Sequence, residues 1–306
     1  LESLRLLSEG IHRAELLGDL LETSLRLLDD LFGFRHSMIL LVDERNTKLF
    51  TIASRGYPEN GVGSEVGIGE GLIGTVARAR RALQLSAIDH SLRYARAVRD
   101  RAEAGGGVDA VCREIPLPGL PSAAGQIAVP LLTRGRLIGV LAVESAEPLA
   151  FMSREDTLLT IVASHLGGCI EQLSRDTEES PQGALARPQS SRALAAPPRS
   201  RSFCFFPQDD CVFVDGEYLI RNVPGRILWR LLTRHRDEGR TEFSNRELRM
   251  DSWLGLPEIK DNLECRLILL RKRMEQKCPD IRLVPRGRGR FALETDVAIA
   301  LSERDT

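Results

Sequence analysis

The chain has 306 residues, 42 Lys+Arg against 43 Asp+Glu, and a formal net charge of −1. That length favours two domains over one, and hydrophobic and charged shares of 42% and 28% are those of a globular protein rather than a disordered or fibrous one. The sequence contains no run of roughly 18 apolar residues, so a membrane helix and a membrane partner are not expected, and it does not open on a charged-then-apolar leader.

The charge is unevenly spread: residues 201–295 carry a small excess of Lys and Arg, and the remainder an excess of Asp and Glu. The six cysteines (112, 169, 204, 211, 265 and 278) form no CxxC pair. This argues against a zinc site, leaves no metal assigned, and points to a reducing, cytoplasmic setting.

In chain order, Leu1 to Leu31 reads as helical, with Leu16, Leu17, Leu20, Leu21, Leu25, Leu27, Leu28 and Leu31 in a wide stripe. Such a stripe is either core packing or a dimer helix. Ser37 to Val42 reads as a buried strand, Asp43 to Thr47 as a turn and Leu49 to Ser54 as the returning strand. Gly67, Gly69, Gly71 and Gly74 then mark a glycine-rich turn running into a short helix, Leu72 to Arg80. A glycine-rich turn before a helix can cradle phosphate, but this spacing fits neither the P-loop nor the dinucleotide fingerprint.

Residues 88–120 carry Asp89, His90, Arg93, Tyr94, Arg96, Arg99, Arg101, three glycines, Cys112 and Arg113. Loop glycines and mixed charge suit a lid. The arginines could meet an anion or form a solvated face. Gln126 to Leu131 and Arg136 to Glu144 are β-rich runs around the turn Thr133-Arg134-Gly135. Ser153 is placed to cap a helix over Arg154 to Leu173, with Leu158, Leu159, Val162, Leu166 and Ile170 on one side.

The strings GIGEGLIGTVARARRALQLSAID, QIAVPLLTRGRLIGVLAVES and FMSREDTLLTIVASHL stand in that order, and together they resemble GAF domains over roughly Leu16 to Arg175. The resemblance implies a central antiparallel sheet with helices on one side and a small-molecule pocket on the other. It further implies a roof between the two strand pairs and a homodimer formed by the flanking helices. Asp89, His90, Arg93, Tyr94 and Cys112 are then the ligand-binding candidates for an unknown small-molecule effector. Neither the effector nor a cofactor is named by any motif. His90 has no second ligand nearby. Cys112 is followed by Arg113 where bilin-binding members show His, and the Asn-Lys…Phe-Asp motif of cyclic-nucleotide binders is absent. A methionine sulfoxide reductase of this family would need a resolving thiol within reach. No acid, base and nucleophile can be assembled from these motifs, so the chain is expected not to be an enzyme.

Residues 176–201 are rich in Ser, Pro, Ala and Arg without apolar period, and read as a flexible linker. Phe203 to Phe206, Cys211 to Asp215 and Glu217 to Ile220 read as strands, with Asp215-Gly216 as a turn. Pro224-Gly225 opens a helix over Arg226 to His235. Ser244 and Glu247 make a capping box for a helix over Asn245 to Asp251.

Ile259 to Lys277 reads as an amphipathic helix: Ile259, Leu263, Leu267, Leu270 and Met274 share one face, and Lys260, Arg266, Arg271 and Arg273 fall largely outside it. A hairpin follows, its tip Arg286-Gly287-Arg288-Gly289-Arg290. This order, and the strings DGEYLIRNVPGRILWRLLTRH, LECRLILLRKRM and IRLVPRGRGRFAL, resemble the winged helix of OmpR-like response-regulator effector domains.

The whole is therefore expected to be α+β: a GAF-like sensor and dimerisation domain (1–175), a flexible linker (176–201), a winged-helix domain (202–295) and a tail (296–306). The resemblance implies a transcription regulator that binds double-stranded DNA through Lys260, Asn262, Arg266 and Arg273 on the helix and Arg286, Arg288 and Arg290 on the wing. The alternative is an adaptor whose winged helix docks protein through Ile268 and Leu269, which stand where that family usually carries polar or basic residues.

Overall fold

A computed structural model describes residues 2–43, 45–86, 115–179, 200–256 and 263–304. The chain forms two units, Leu1–Leu173 and Ser174–Thr306. The linker expected over 176–201 lies largely outside the described residues; before it, a helix runs on to Glu179.

The first unit opens with α1 (Glu2–His12) and α2 (Leu17–Phe32). Strands β1 (His36–Val42), β2 (Lys48–Arg55) and β3 (Glu65–Gly67) follow, then α3 (Gly71–Ala79), β4 (Leu83–Ser86), β5 (Gly125–Thr133), β6 (Arg136–Ser145) and α4 (Ser153–Glu179). The six strands form one sheet in the order β3-β2-β1-β6-β5-β4, with every pair antiparallel. The first unit is thus the mixed α+β arrangement with an antiparallel sheet that was expected.

Leu17, Leu20, Leu21, Leu25 and Leu28 of the leucine stripe are buried within the chain, so that much of it is core packing. The helix ends at Gly33, whose φ of 74° is the left-handed conformation that lets its N–H reach the Asp29 carbonyl at 2.8 Å while Phe34 N–H reaches Leu28.

Side chains alternate across β1. Met38 and Leu40 join Ala128, Val140, Ala142, Ile73 and Val76 in a core under α3, while Ile39 and Leu41 are buried on the opposite face. At the β1–β6 seam, Gly139 admits no side chain, because a Cβ there would stand 2.1 Å from the Leu40 carbonyl oxygen.

The glycine-rich turn is bound into the fold. Gly69 N–H donates to the Gly74 carbonyl at 2.7 Å, Gly74 N–H to Glu70, and Gly67 N–H to the Glu70 carboxylate at 3.0 Å. Those amides are already engaged within the turn and so do not point at a phosphate.

The second unit contains β7 (Ser200–Phe206), β8 (Cys211–Val214), β9 (Glu217–Ile220), α5 (Asn222–Glu238), β10 (Glu242–Ser244), α6 (Asn245–Met250), α7 (Leu263–Lys277), β11 (Ile281–Pro285), β12 (Arg290–Thr295) and β13 (Ala298–Glu303). It holds a four-stranded sheet, β13-β7-β8-β9, and a three-stranded sheet, β10-β12-β11. Residues 298–303, read from sequence as part of a tail, pair in parallel with β7 from Ala298↔Ser200 to Glu303↔Phe205.

Phe203, Phe205, Leu219, Ile227, Leu228, Leu231 and Leu232 are buried here, with Phe205 stacked on Trp229 at 5.1 Å. The Ser244–Glu247 capping box forms as the sequence predicts. Asp251 accepts hydrogen bonds from Arg230 and Arg234, both at 2.7 Å, fastening α5 to the end of α6.

Candidate functional sites

Period-two alternation puts His36, Gln126 and Glu144 on the same sheet face as Met38, Leu40, Ala128, Val140 and Ala142. His36 stands opposite Glu144, and Gln126 opposite Glu144 on the other side. Glu144 is 2% exposed; it accepts a hydrogen bond from the Leu120 N–H at 2.7 Å and another from the Gln126 amide at 3.1 Å. The His36 ring meets Tyr57 edge-on at 5.6 Å. The arrangement is an apolar floor under α3 with a polar end made of His36, Tyr57, Gln126 and Glu144. Glu144 is the acceptor that ties Leu120 and the Gln126 amide to this end of the sheet.

Sequence reasoning missed these four residues, having looked for ligand groups in the roof. The one available signal was Glu144, a charge at the end of an apolar strand. Asp89, His90, Arg93, Tyr94 and Cys112 lie outside the described residues.

The candidates in the second unit divide. Arg286, Arg288 and Arg290 are exposed around the β11–β12 turn, where Gly287 and Gly289 take φ of 104° and 66°. Arg286 pairs with Glu294 across the hairpin. Lys260 and Asn262 lie outside the described residues.

The expected helix face is corrected for α7. Leu263, Leu267, Leu270 and Met274 are buried as predicted, but so are Cys265, Arg266, Ile268, Leu269 and Arg273, which widens the covered surface well beyond one stripe and leaves Glu275, Gln276 and Lys277 exposed at the end of the helix. Arg266 and Arg273, assigned from sequence to groove contacts, are each 6% exposed. Arg273 donates from Nε to the Leu219 carbonyl at 2.9 Å and from a terminal nitrogen to Gln276 at 3.0 Å, and burial pulls its guanidinium below its ordinary pKa. Its aliphatic stem packs as core while its head satisfies β9, so the side chain works in the fold.

A third cluster joins α1 to α4. His12 ends α1, and His165 and Cys169 lie one turn apart on α4. Their ligand-capable atoms all fall within 4.8 Å of one another. His165 Nε2 is 3.2 Å from His12 Nδ1, and the rings meet edge-on at 4.6 Å. Burial, and then the neighbouring His12 ring, push His165 below the usual histidine pKa, and burial pushes the Cys169 thiol up. A search for CxxC pairs passes over this trio, because the fold rather than the sequence brings it together.

The GAF domain family matches residues 14–171. The chain belongs to the GAF domain family. GAF domains are signal-sensing modules of regulators, and this chain carries one in its first unit. Solved structures similar to the chain include the GAF domain of an Acinetobacter phosphoenolpyruvate-protein phosphotransferase (22% identical, covering 58% of this chain and 96% of that one, TM-score 0.45). Others are the free methionine-R-sulfoxide reductase of Neisseria meningitidis with its substrate (20%, 57% and 89%, 0.44) and the A. aeolicus nlh2 GAF domain in an inactive state (17%, 56% and 94%, 0.41). No curated protein matches the chain.

The expectation that the chain is no enzyme is corrected by these likenesses. Free methionine-R-sulfoxide reductases stand among the structures similar to it, so carrying a GAF fold does not set it apart from enzymes. Among the described residues, no helix is long and apolar enough to cross a membrane.

Proposed function

We propose that this GAF protein is a signal-responsive transcription regulator, its sensor unit controlling DNA binding by a winged helix in the second unit. The observation that carries the reading is the exposed three-arginine tip, Arg286, Arg288 and Arg290, on the hairpin that directly follows α7. A short basic loop at the end of a rigid hairpin is suited to phosphate oxygens, where guanidinium forks bind in pairs. The element order in this unit supports the same reading: three strands, three helices with the short β10 between the first two, and then the β11–β12 hairpin, with α7 preceding the wing and β13 following it.

With Arg266 and Arg273 buried, groove contacts fall to Lys260 and Asn262, just ahead of α7. A homodimer would present two such heads to two half-sites on double-stranded DNA. An unknown small-molecule effector at the polar end of the GAF sheet would bias their spacing. The adaptor alternative loses its docking pair, since Ile268 and Leu269 are 5% and 6% exposed.

The test replaces Arg286, Arg288 and Arg290 together by alanine in the full chain. Loss of affinity for duplex DNA of every sequence supports the reading; unchanged affinity removes the wing from it.

A further inference from the structure

We propose that His12, His165 and Cys169 form a binding site for a divalent transition metal of the zinc class, tying the end of α1 to α4.

The chemistry is that of two imidazoles and a thiolate, a borderline-soft donor set that selects Zn2+ over Mg2+ or Ca2+. His165 and Cys169 are four residues apart on α4, so one helix face offers both donors at once. His12 faces them from the last turn of α1. A tetrahedral Zn2+ bound at roughly 2.0–2.1 Å by two imidazoles holds their nitrogens about 3.3 Å apart. The separation of His12 Nδ1 and His165 Nε2 is 3.2 Å. A thiolate at about 2.3 Å from the same ion stands about 3.6 Å from each nitrogen. The three donor atoms already lie within 4.8 Å, so side-chain rotation of about an ångström completes the set.

In the metal-free chain Ser8 occupies the same two nitrogens: its carbonyl accepts from His12 Nδ1 at 2.9 Å and its hydroxyl lies 3.4 Å from His165 Nε2, and an incoming ion displaces both contacts and the Nδ1 proton. A hydrogen bond between the two rings accounts for their approach but leaves Cys169 without a reason to be there. His12 is exposed and the other two are half-buried, so an ion has an entrance and three protein ligands leave its fourth position to water. On binding, the Cys169 thiol loses its proton to solvent and coordinates as thiolate. Elsewhere α1 packs chiefly on α2, so the metal would add a fastening to α4, the helix that leads out of the sensor unit.

The experiment titrates Co2+ into the metal-free full chain and then displaces it with Zn2+. The site predicts the visible bands of tetrahedral Co2+ together with thiolate-to-metal charge transfer, both bleached by Zn2+. In Cys169→Ser the charge transfer disappears and Zn2+ affinity falls by at least about tenfold. His12→Ala, a change at an exposed position that leaves the fold intact, weakens binding on the same scale. Zn2+ raises the Tm of the parent chain and not of either variant. Absence of thiolate charge transfer, or affinity unchanged in both folded variants, would overturn the proposal.

Discussion

Arg201 grips Asp280 with two parallel hydrogen bonds, Nε to one carboxylate oxygen and a terminal nitrogen to the other, both at 2.7 Å. The pair joins β7, the first strand of the second unit, to the residue before β11, which begins the basic hairpin. The remaining terminal nitrogen of Arg201 donates to Asp215 at 2.6 Å. One arginine thus links the strand sheet, its turn and the base of the hairpin.

Bidentate charge-assisted contacts of this kind are the strong class. Arg201→Ala or Asp280→Asn should therefore lower the stability of the second unit by about 1–3 kcal/mol, read from chemical denaturation of the full chain.

Acid should weaken the same junction. The Arg201 guanidinium, and then the Ser202 N–H, hold Asp215 below its ordinary value of 3.8. A carboxylate with a depressed folded pKa contributes stability that is present above its unfolded pKa and is lost as pH falls through the folded one. The second unit should keep its stability down to about pH 4 and lose this contribution below it. In an Arg201→Ala chain that loss should shrink, as followed by denaturation across an acid series.

Thiol reactivity should follow burial. Cys211, Cys265 and Cys278 are buried, and Cys278 is pushed up to about 12, chiefly by desolvation. Among the described cysteines, alkylation of the native chain should label Cys169 and Cys204 first, and the buried three only after unfolding. Mass spectrometry of digested, labelled protein reads the order directly.

At the polar end of the GAF sheet, Glu144→Ala should cost about 1–3 kcal/mol, because it leaves the Leu120 N–H and the Gln126 amide without their acceptor. Glu144→Gln keeps an acceptor oxygen and should cost less. A ligand held there should lose affinity in both. Thermal denaturation of the two variants, with and without candidate small molecules, separates the effects.

The parts legible in the sequence were those with local signals. The short apolar run of Ser37 to Val42, the Thr133-Arg134-Gly135 turn and the Ser244–Glu247 capping box each declare an element without reference to the rest of the chain. Strands β3, β4 and β13 were missed because three to six residues at a sheet edge carry little periodicity. Arg266 and Arg273 were misplaced because a helical wheel shows which residues share a face but not how many faces are covered. His12 and His165 were invisible as a pair, since only the packing of α1 near α4 brings them to 3.2 Å.

The most direct test of the proposed regulator is the affinity of the purified full chain for mixed duplex DNA fragments as salt is raised. Phosphate neutralisation predicts a linear fall of log affinity with log salt, about 0.9 for each phosphate contacted. Replacing all three wing arginines should lower that slope by about three contacts' worth. A folded chain that fails to bind at low salt, or binds with a slope the wing variant leaves unchanged, would contradict the account.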